Sequence, residues 1–146
     1  MTLAINLRAS DLAAEPVRAA LRLAPHPEGG WYRETWRDAP ETGARGAGTA
    51  ILFLLAAGER SAWHRVDAAE LWLWQAGAPL TLFAADQQLR LGPDLGAGEV
   101  LQGIVPAGVW QAARPDGAWS LVSCVVAPAF SFNGFELAPP GLLPPV

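Results

Sequence analysis

From Gly29 onward, apolar and polar positions trade places every second residue in short runs. That is the period of a strand with one face in a core. Trp31–Arg37 puts Trp31, Arg33 and Thr35 on one face and Tyr32, Glu34 and Trp36 on the other. Thr49–Ala57 is a continuous apolar run, suited to a strand buried on both faces. Ala62–Val66 and Glu70–Gln75 alternate again, with Asp67–Ala69 between them, which predicts two strands about a tight turn. Leu80–Ala84, Gln88–Leu91, Glu99–Val105, Val109–Arg114 and Trp119–Val126 repeat the pattern, each bounded by Gly, Pro or Asp. Short strands at regular spacing with Gly and Pro turns predict an all-β sandwich or barrel.

Before Gly29 the period changes. Ser10 and Asp11 offer a helix N-cap, and Pro16 suits a first turn. Val17, Ala20, Leu21 and Leu23 then form a helical stripe that Pro25 and Pro27 end. One or two short helices are expected over residues 10–24. Residues 1–9 alternate briefly and read as an edge strand or an ordered arm. At the other end, Phe130, Phe132 and Phe135 are expected to pack on the barrel, and the Pro-rich tail to be poorly ordered. The chain of 146 residues shows no repeat and no second composition, so one domain spanning 1–146 is expected.

Composition narrows the partners. At 51% apolar and 16% charged residues the chain is not disordered. A net charge of −4 gives no electrostatic reason for nucleic acid or an anionic membrane. No stretch approaches the roughly 18 apolar residues of a membrane span, and no run has the character of a signal peptide. A soluble cytoplasmic protein is the expectation. All ten basic residues are arginines, which excludes Schiff-base and lysine general-base chemistry. Cys124 is alone, so neither an intrachain disulfide nor a thiolate metal cluster is available. Its apolar strand setting predicts an inert buried thiol.

The stretch Gly58–Gly77 carries the candidate chemistry. Residues i and i+2 of a strand share a face, so His64 goes with Val66, and Glu70 with Trp72 and Trp74. If the two strands pair antiparallel across their turn, His64 and Glu70 converge. Gly58, His64, Glu70 and Gly77 also fall at the spacings of the first cupin motif, with Val66 where a second His would stand. Pro106-Ala107-Gly108-Val109-Trp110 resembles the second motif and leads to Gln111 in place of its His. His26-Pro27-Glu28-Gly29-Gly30-Trp31-Tyr32-Arg33-Glu34, the Trp63-His64-Arg65-Val66 run and the closing Ala127-Pro128-Ala129-Phe130 resemble cupin family 5. The likeness covers about residues 17–138, with the barrel core at about 26–138. It implies a double-stranded β-helix, or jelly roll, with a ligand pocket inside the barrel lined by His64, Glu70 and Gln111. It also implies kinship in fold with sugar-nucleotide epimerases and a tendency to dimerise.

The residues permit two chemistries. A metal-dependent cupin uses three His and one Glu. This chain offers His64, Glu70 and the weak amide ligand Gln111, so no metal is assigned, and a divalent ion at these three would be weakly held. Without metal, His64 can move a proton near neutral pH, with Glu70 as orienter or second acid–base group. Gln111 can donate to an oxyanion, and Tyr32 can act as an acid on the opposite ligand face. That is the logic of an epimerase or isomerase, and His64, Glu70 and Tyr32 are its catalytic candidates. Gln111, Trp72, Trp74, His26, Glu28 and Glu34 are the ligand-binding candidates, with core filling as the alternative for the two tryptophans and a rigid turn as the alternative for His26–Gly30. The expected partner is a small polar metabolite such as a sugar or nucleotide-linked sugar. A homodimer is expected, since open jelly rolls must cover edge strands. Rival readings are a metal-dependent oxygenase or isomerase and a non-catalytic binding or sensor protein.

Overall fold

Two antiparallel sheets face one another, and the candidate site side chains His64 and Glu70 lie between them. The computed structural model describes residues 4–146. Helix α1 (Ala14–Leu21) is followed by β1 (Ala24–Pro25), β2 (Trp31–Arg37), β3 (Thr49–Ala56), β4 (Ser61–Val66), β5 (Ala69–Gly77) and β6 (Leu80–Ala84). Then come β7 (Gln87–Leu91), β8 (Gln102–Val105), β9 (Gln111–Pro115), β10 (Trp119–Ala127) and β11 (Phe135–Leu137). One sheet runs β1-β2-β3-β10-β5-β8 and the other β11-β4-β9-β6-β7. The chain crosses from the first sheet to the second after β3, back after β4, and across again after β5, as in a jelly roll.

The inner faces supply the main core, with Phe53 and Leu55 of β3, Trp72 of β5, Leu80 and Leu82 of β6, and Val122 and Cys124 of β10. Phe53 and Trp72 meet edge to face at 6.0 Å. The outer face of the larger sheet holds a second cluster, in which Val17 of α1 packs on Leu54, Ala76, Trp119 and Leu121. This explains the unbroken apolar run of β3. Leu55 faces the barrel, Leu54 faces the helix, and both are fully buried. An eight-residue helix is marginal in water, and burying a side chain such as Val17 contributes roughly 1.5–3 kcal/mol toward holding it.

Four expectations are corrected. The helix does not begin at Ser10 or Asp11. Its N-cap is Ala13, with no side-chain cap, because the Leu12 carbonyl accepts the Trp119 indole N–H at 2.7 Å and holds the chain outside the helix. No edge strand forms over residues 4–9: residues 4–6 have no regular structure and residues 6–9 form a turn closed by Ala9 N–H to the Asn6 carbonyl; residues 1–3 of the expected strand or arm lie outside the described residues. The strands of His64 and Glu70 do not pair. β4 pairs with β9 and β11, and β5 with β10 and β8, so the two side chains approach across the barrel interior. Finally, the Pro-rich tail is laid along β4. Ala138 N–H bonds to the Trp63 carbonyl at 2.9 Å, the Trp63 indole donates to the Pro144 carbonyl at 2.7 Å, and Arg60 donates to the Val146 carbonyl at 2.7 Å. Among the described residues no helix is long and apolar enough to cross a membrane.

Candidate functional site

A cavity of about 440 Å³ opens between the sheets, within the range of roughly 300–1,000 Å³ usual for ligand sites. Strand alternation aims its walls. Tyr32 and Glu34 of β2, Ile51 of β3, Cys124 and Val126 of β10, and Glu70 of β5 come from one sheet. His64 and Val66 of β4 face them from the other. His26 and Glu28 enter from the loop before β2, and Phe130, Phe132 and Phe135 form an aromatic edge.

The centre of the site is an ion pair between a strand and that loop. His64 Nε2 lies 2.8 Å from Glu28 Oε2, with the two side chains 2% and 6% exposed. On its other side, His64 Nδ1 donates to the Ala62 carbonyl at 2.7 Å. Both ring nitrogens are therefore donors, which requires an imidazolium. Burial alone would lower the His64 pKa. The charge and hydrogen bond of Glu28, the charge of Glu70 and the Ala62 carbonyl outweigh burial and push it up to about 9. Glu28 shows the converse. Burial would raise its pKa, but the charge and hydrogen bond of His64 and the field of His26 bring it below the ordinary carboxylate value. The expectation that His64 takes a proton near neutral pH is corrected on this ground, because at pH 7 it already holds two.

The Glu28 loop is pinned by backbone. His26 N–H bonds to the Gly30 carbonyl at 2.9 Å, Gly29 N–H to the His26 carbonyl at 3.0 Å, and Ala62 N–H to the Glu28 carbonyl at 2.7 Å. Gly29 sits at φ 106°, and a Cβ there would collide with the Arg60 carbonyl of the chain entering β4. Gly29→Ala is expected to cost about 1–3 kcal/mol and to pull Glu28 off His64. A fall of the His64 pKa from about 9 toward its ordinary value, read by NMR, checks it.

Glu70 titrates in the working range. Burial raises its pKa; His64 offsets this in part, Glu28 adds to it, and hydrogen bonds from Gln111 and Cys124 lower it, leaving it at about 7. A chain of bonds fixes its carboxylate. The Trp72 indole donates to Gln111 Oε1 at 2.8 Å, and Gln111 Nε2 donates to Glu70 Oε1 at 2.9 Å. Gln111 is thus spent behind Glu70 and does not line the cavity, which corrects its assignment as a ligand-binding residue. Trp72 and Trp74 are corrected likewise. Trp72 is fully buried core, and the Trp74 indole donates to the Ala78 carbonyl at 3.1 Å outside the cavity.

The other candidates fall as follows. Tyr32 lines the cavity and packs edge-on against His26, with ring centroids 4.4 Å apart. Glu34 lines it too, but Arg37 grips its carboxylate with two hydrogen bonds of 2.8 Å each. His26 lines it, its pKa lowered by burial and by His64 against a partial opposing effect of Glu28. Cys124 borders Glu70, and burial foremost keeps its thiol well above the ordinary pKa. Arg37, Thr49, Val126 and the three phenylalanines are cavity residues that the strand pattern alone did not single out. The parity of β10 and the closing aromatic run held the available signal.

The donor set does not fit a metal ion. Val66 has no donor atom, both Gln111 amide groups are engaged, and His64 has no free lone pair while it bonds Ala62 and Glu28. Among the described residues no three His, Cys, Asp or Glu side chains are grouped to hold one.

Two facing antiparallel sheets around an internal cavity define a double-stranded β-helix barrel. The chain matches the family described as cupin superfamily (DUF985), Cupin_5, over residues 16–138, and it belongs to that family. It is similar to a structure from Shewanella oneidensis at 36% identity and TM-score 0.82, covering 87% of this chain and 85% of that one. It is also similar to a hypothetical protein from Leishmania major at 32% identity and TM-score 0.78, covering 87% and 88%. A cupin 2 conserved barrel domain protein from Rhodopseudomonas palustris shares the fold, at 13% identity and TM-score 0.58 over 80% and 73% of the two chains. No curated protein matches the chain.

Proposed function

We propose that the cavity binds a small polar metabolite, sugar-like in size and functionality, and moves a proton on it without a metal, as an epimerase or isomerase does. Glu70 is the acid–base group. The observation that carries this reading is its placement: a carboxylate enclosed in the cavity, clamped from behind by Gln111 and Trp72, and titrating at about 7. A base is most effective when its pKa lies near the working pH. His64 is not that base. Its fixed positive charge offsets Glu28 and keeps Glu70 from rising further.

The test is deuterium exchange from solvent into a panel of aldoses, ketoses and sugar acids, followed by NMR. Exchange at the carbon next to the carbonyl is expected to rise with pH through about 7 as Glu70 ionises, and to fall through about 9 as His64 loses its proton. Glu70→Gln is expected to lower the rate by about 10² or more. Unchanged exchange in that variant, or exchange abolished by chelators, would overturn the reading. Binding with no exchange anywhere in the panel would favour a non-catalytic binding protein. The homodimer expected from the sequence is likewise a proposal, checked by light scattering at micromolar concentration.

A further inference from the structure

We infer that His26 is a ligand-facing donor of the cavity, its Nε2–H placed to hold the carbonyl oxygen of a small open-chain α-hydroxycarbonyl compound. The inference rests on the cavity being the ligand site with Glu70 as its proton-transfer group, and it names the class of substrate.

The tautomer follows from the backbone. Glu28 N–H donates to His26 Nδ1 at 3.1 Å. A backbone hydrogen has a fixed position, so Nδ1 carries the lone pair and the proton is on Nε2. Glu28 Oε1 lies 3.7 Å from the same Nδ1, too far for a hydrogen bond, and does not draw a proton there. The side chain is 6% exposed and lines the cavity. Nε2 makes no hydrogen bond to any described residue, and it is not sealed away from the cavity space. Tyr32, Phe53, Phe135 and Phe132 surround the ring with centroids 4.4, 5.7, 6.2 and 6.4 Å away. These rings fix its plane. With no protein partner, this N–H is left for cavity water or for a ligand oxygen that displaces it.

The two histidines thus divide the labour. His64 is a cation with both nitrogens engaged. His26 is held neutral by burial, with one nitrogen free. A neutral N–H suits an oxygen that gains negative charge only as the reaction proceeds. The step balances without an added reagent. The Glu70 carboxylate takes the proton from the carbon beside the carbonyl, the C–H electron pair becomes the C=C bond of an enolate, and the carbonyl π pair moves onto the oxygen at His26. Return of the proton from Glu70 to carbon restores the carbonyl.

The chain has two histidines, so protein labelled with ¹⁵N-histidine reports two imidazoles only. Titration with L-erythrulose, an open-chain ketose, is expected to shift the His26 Nε2–H resonance, and erythritol, its reduced counterpart, to shift it little. His26→Phe keeps the aromatic packing and removes the donor. It is expected to weaken erythrulose binding at least tenfold, whereas His26→Gln, with an amide N–H, recovers part of it. Absence of a His26 response to erythrulose, an equal response to erythritol, or unchanged affinity in His26→Phe would overturn the inference. Glu70→Gln separates it from the reading beneath. That variant should lose deuterium exchange into erythrulose and keep the His26 response. Exchange in the wild type without a His26 response faults the donor assignment and leaves Glu70 standing.

Discussion

Glu28→Gln is expected to destabilise the protein by about 3–5 kcal/mol at pH 7, the loss typical of a buried ion pair deprived of one partner. Glu28 and His64 are 6% and 2% exposed and 2.8 Å apart, so neither charge has water to fall back on. The variant leaves an imidazolium facing an amide and the Ala62 carbonyl, and His64 should lose its proton well below the wild-type value of about 9. At roughly 2–4 °C per kcal/mol for a domain of this length, the melting temperature should drop by about 10 °C. The double variant Glu28→Gln with His64→Gln should be less destabilised than the two single losses added together, since the charges are then removed as a pair. Urea melts of the three variants measure the coupling. A loss under about 1 kcal/mol in Glu28→Gln, with His64 still protonated to about pH 9, would mean that the pair does not organise the site.

The dependence on Glu28 also shows where sequence reading stops. The barrel was legible because its signal is local. Alternation in β2, β4 and β10 needs only neighbouring residues to be read, and the apolar run of β3 announces burial on both faces, later divided between barrel and helix. His64 and Glu70 were legible as a pair from spacing and parity. The route by which they meet was not. Parity fixes a face but not a partner strand, and β4 and β5 lie in different sheets. Glu28 was visible only as one residue of a Gly-rich turn. Its contact spans the loop and β4, and what aims it is the Glu28 carbonyl bonding to Ala62 N–H, a long-range pairing with no local pattern.

Gln111 and Trp72 teach the complementary lesson. Motif position correctly put Gln111 beside His64, which it faces across β4 and β9. An amide has a donor and an acceptor to satisfy, however, and the buried Trp72 indole takes up one of them. With the other spent on Glu70, nothing remained for a ligand. The site gains by this arrangement. A carboxylate clamped by a buried amide keeps its direction while it titrates, which a freely rotating side chain does not. Residue type and parity could place these groups near the cavity, but which layer each occupies depends on hydrogen bonds between strands far apart in sequence.

The same buried charges make stability depend on pH in an unusual direction. Glu70 binds its proton more tightly folded than unfolded, about 7 against an ordinary 4.5. Between those values the native state holds more protons than the unfolded chain, so stability falls as pH rises. His64 does the same between 6.5 and about 9: its contribution is complete below 6.5 and is lost as pH climbs through about 9. Glu28, with a depressed pKa, acts oppositely and contributes above about 4.5, losing that contribution as pH drops. The three together place maximum stability near pH 5, acid of neutrality, with a decline of several kcal/mol by pH 9. Urea unfolding from pH 4 to 10 should show that decline in two stages. Glu70→Gln, which keeps the shape and removes the ionisation, should erase the lower stage and raise stability above pH 7 relative to wild type. His64→Gln should erase the upper stage and move the lower one to higher pH, since the His64 charge holds the Glu70 pKa down. A flat profile from pH 5 to 9, or a Glu70→Gln variant less stable than wild type at pH 8, would show that Glu70 is ionised without penalty in the folded protein, and would remove the ground for treating it as the proton-transfer group.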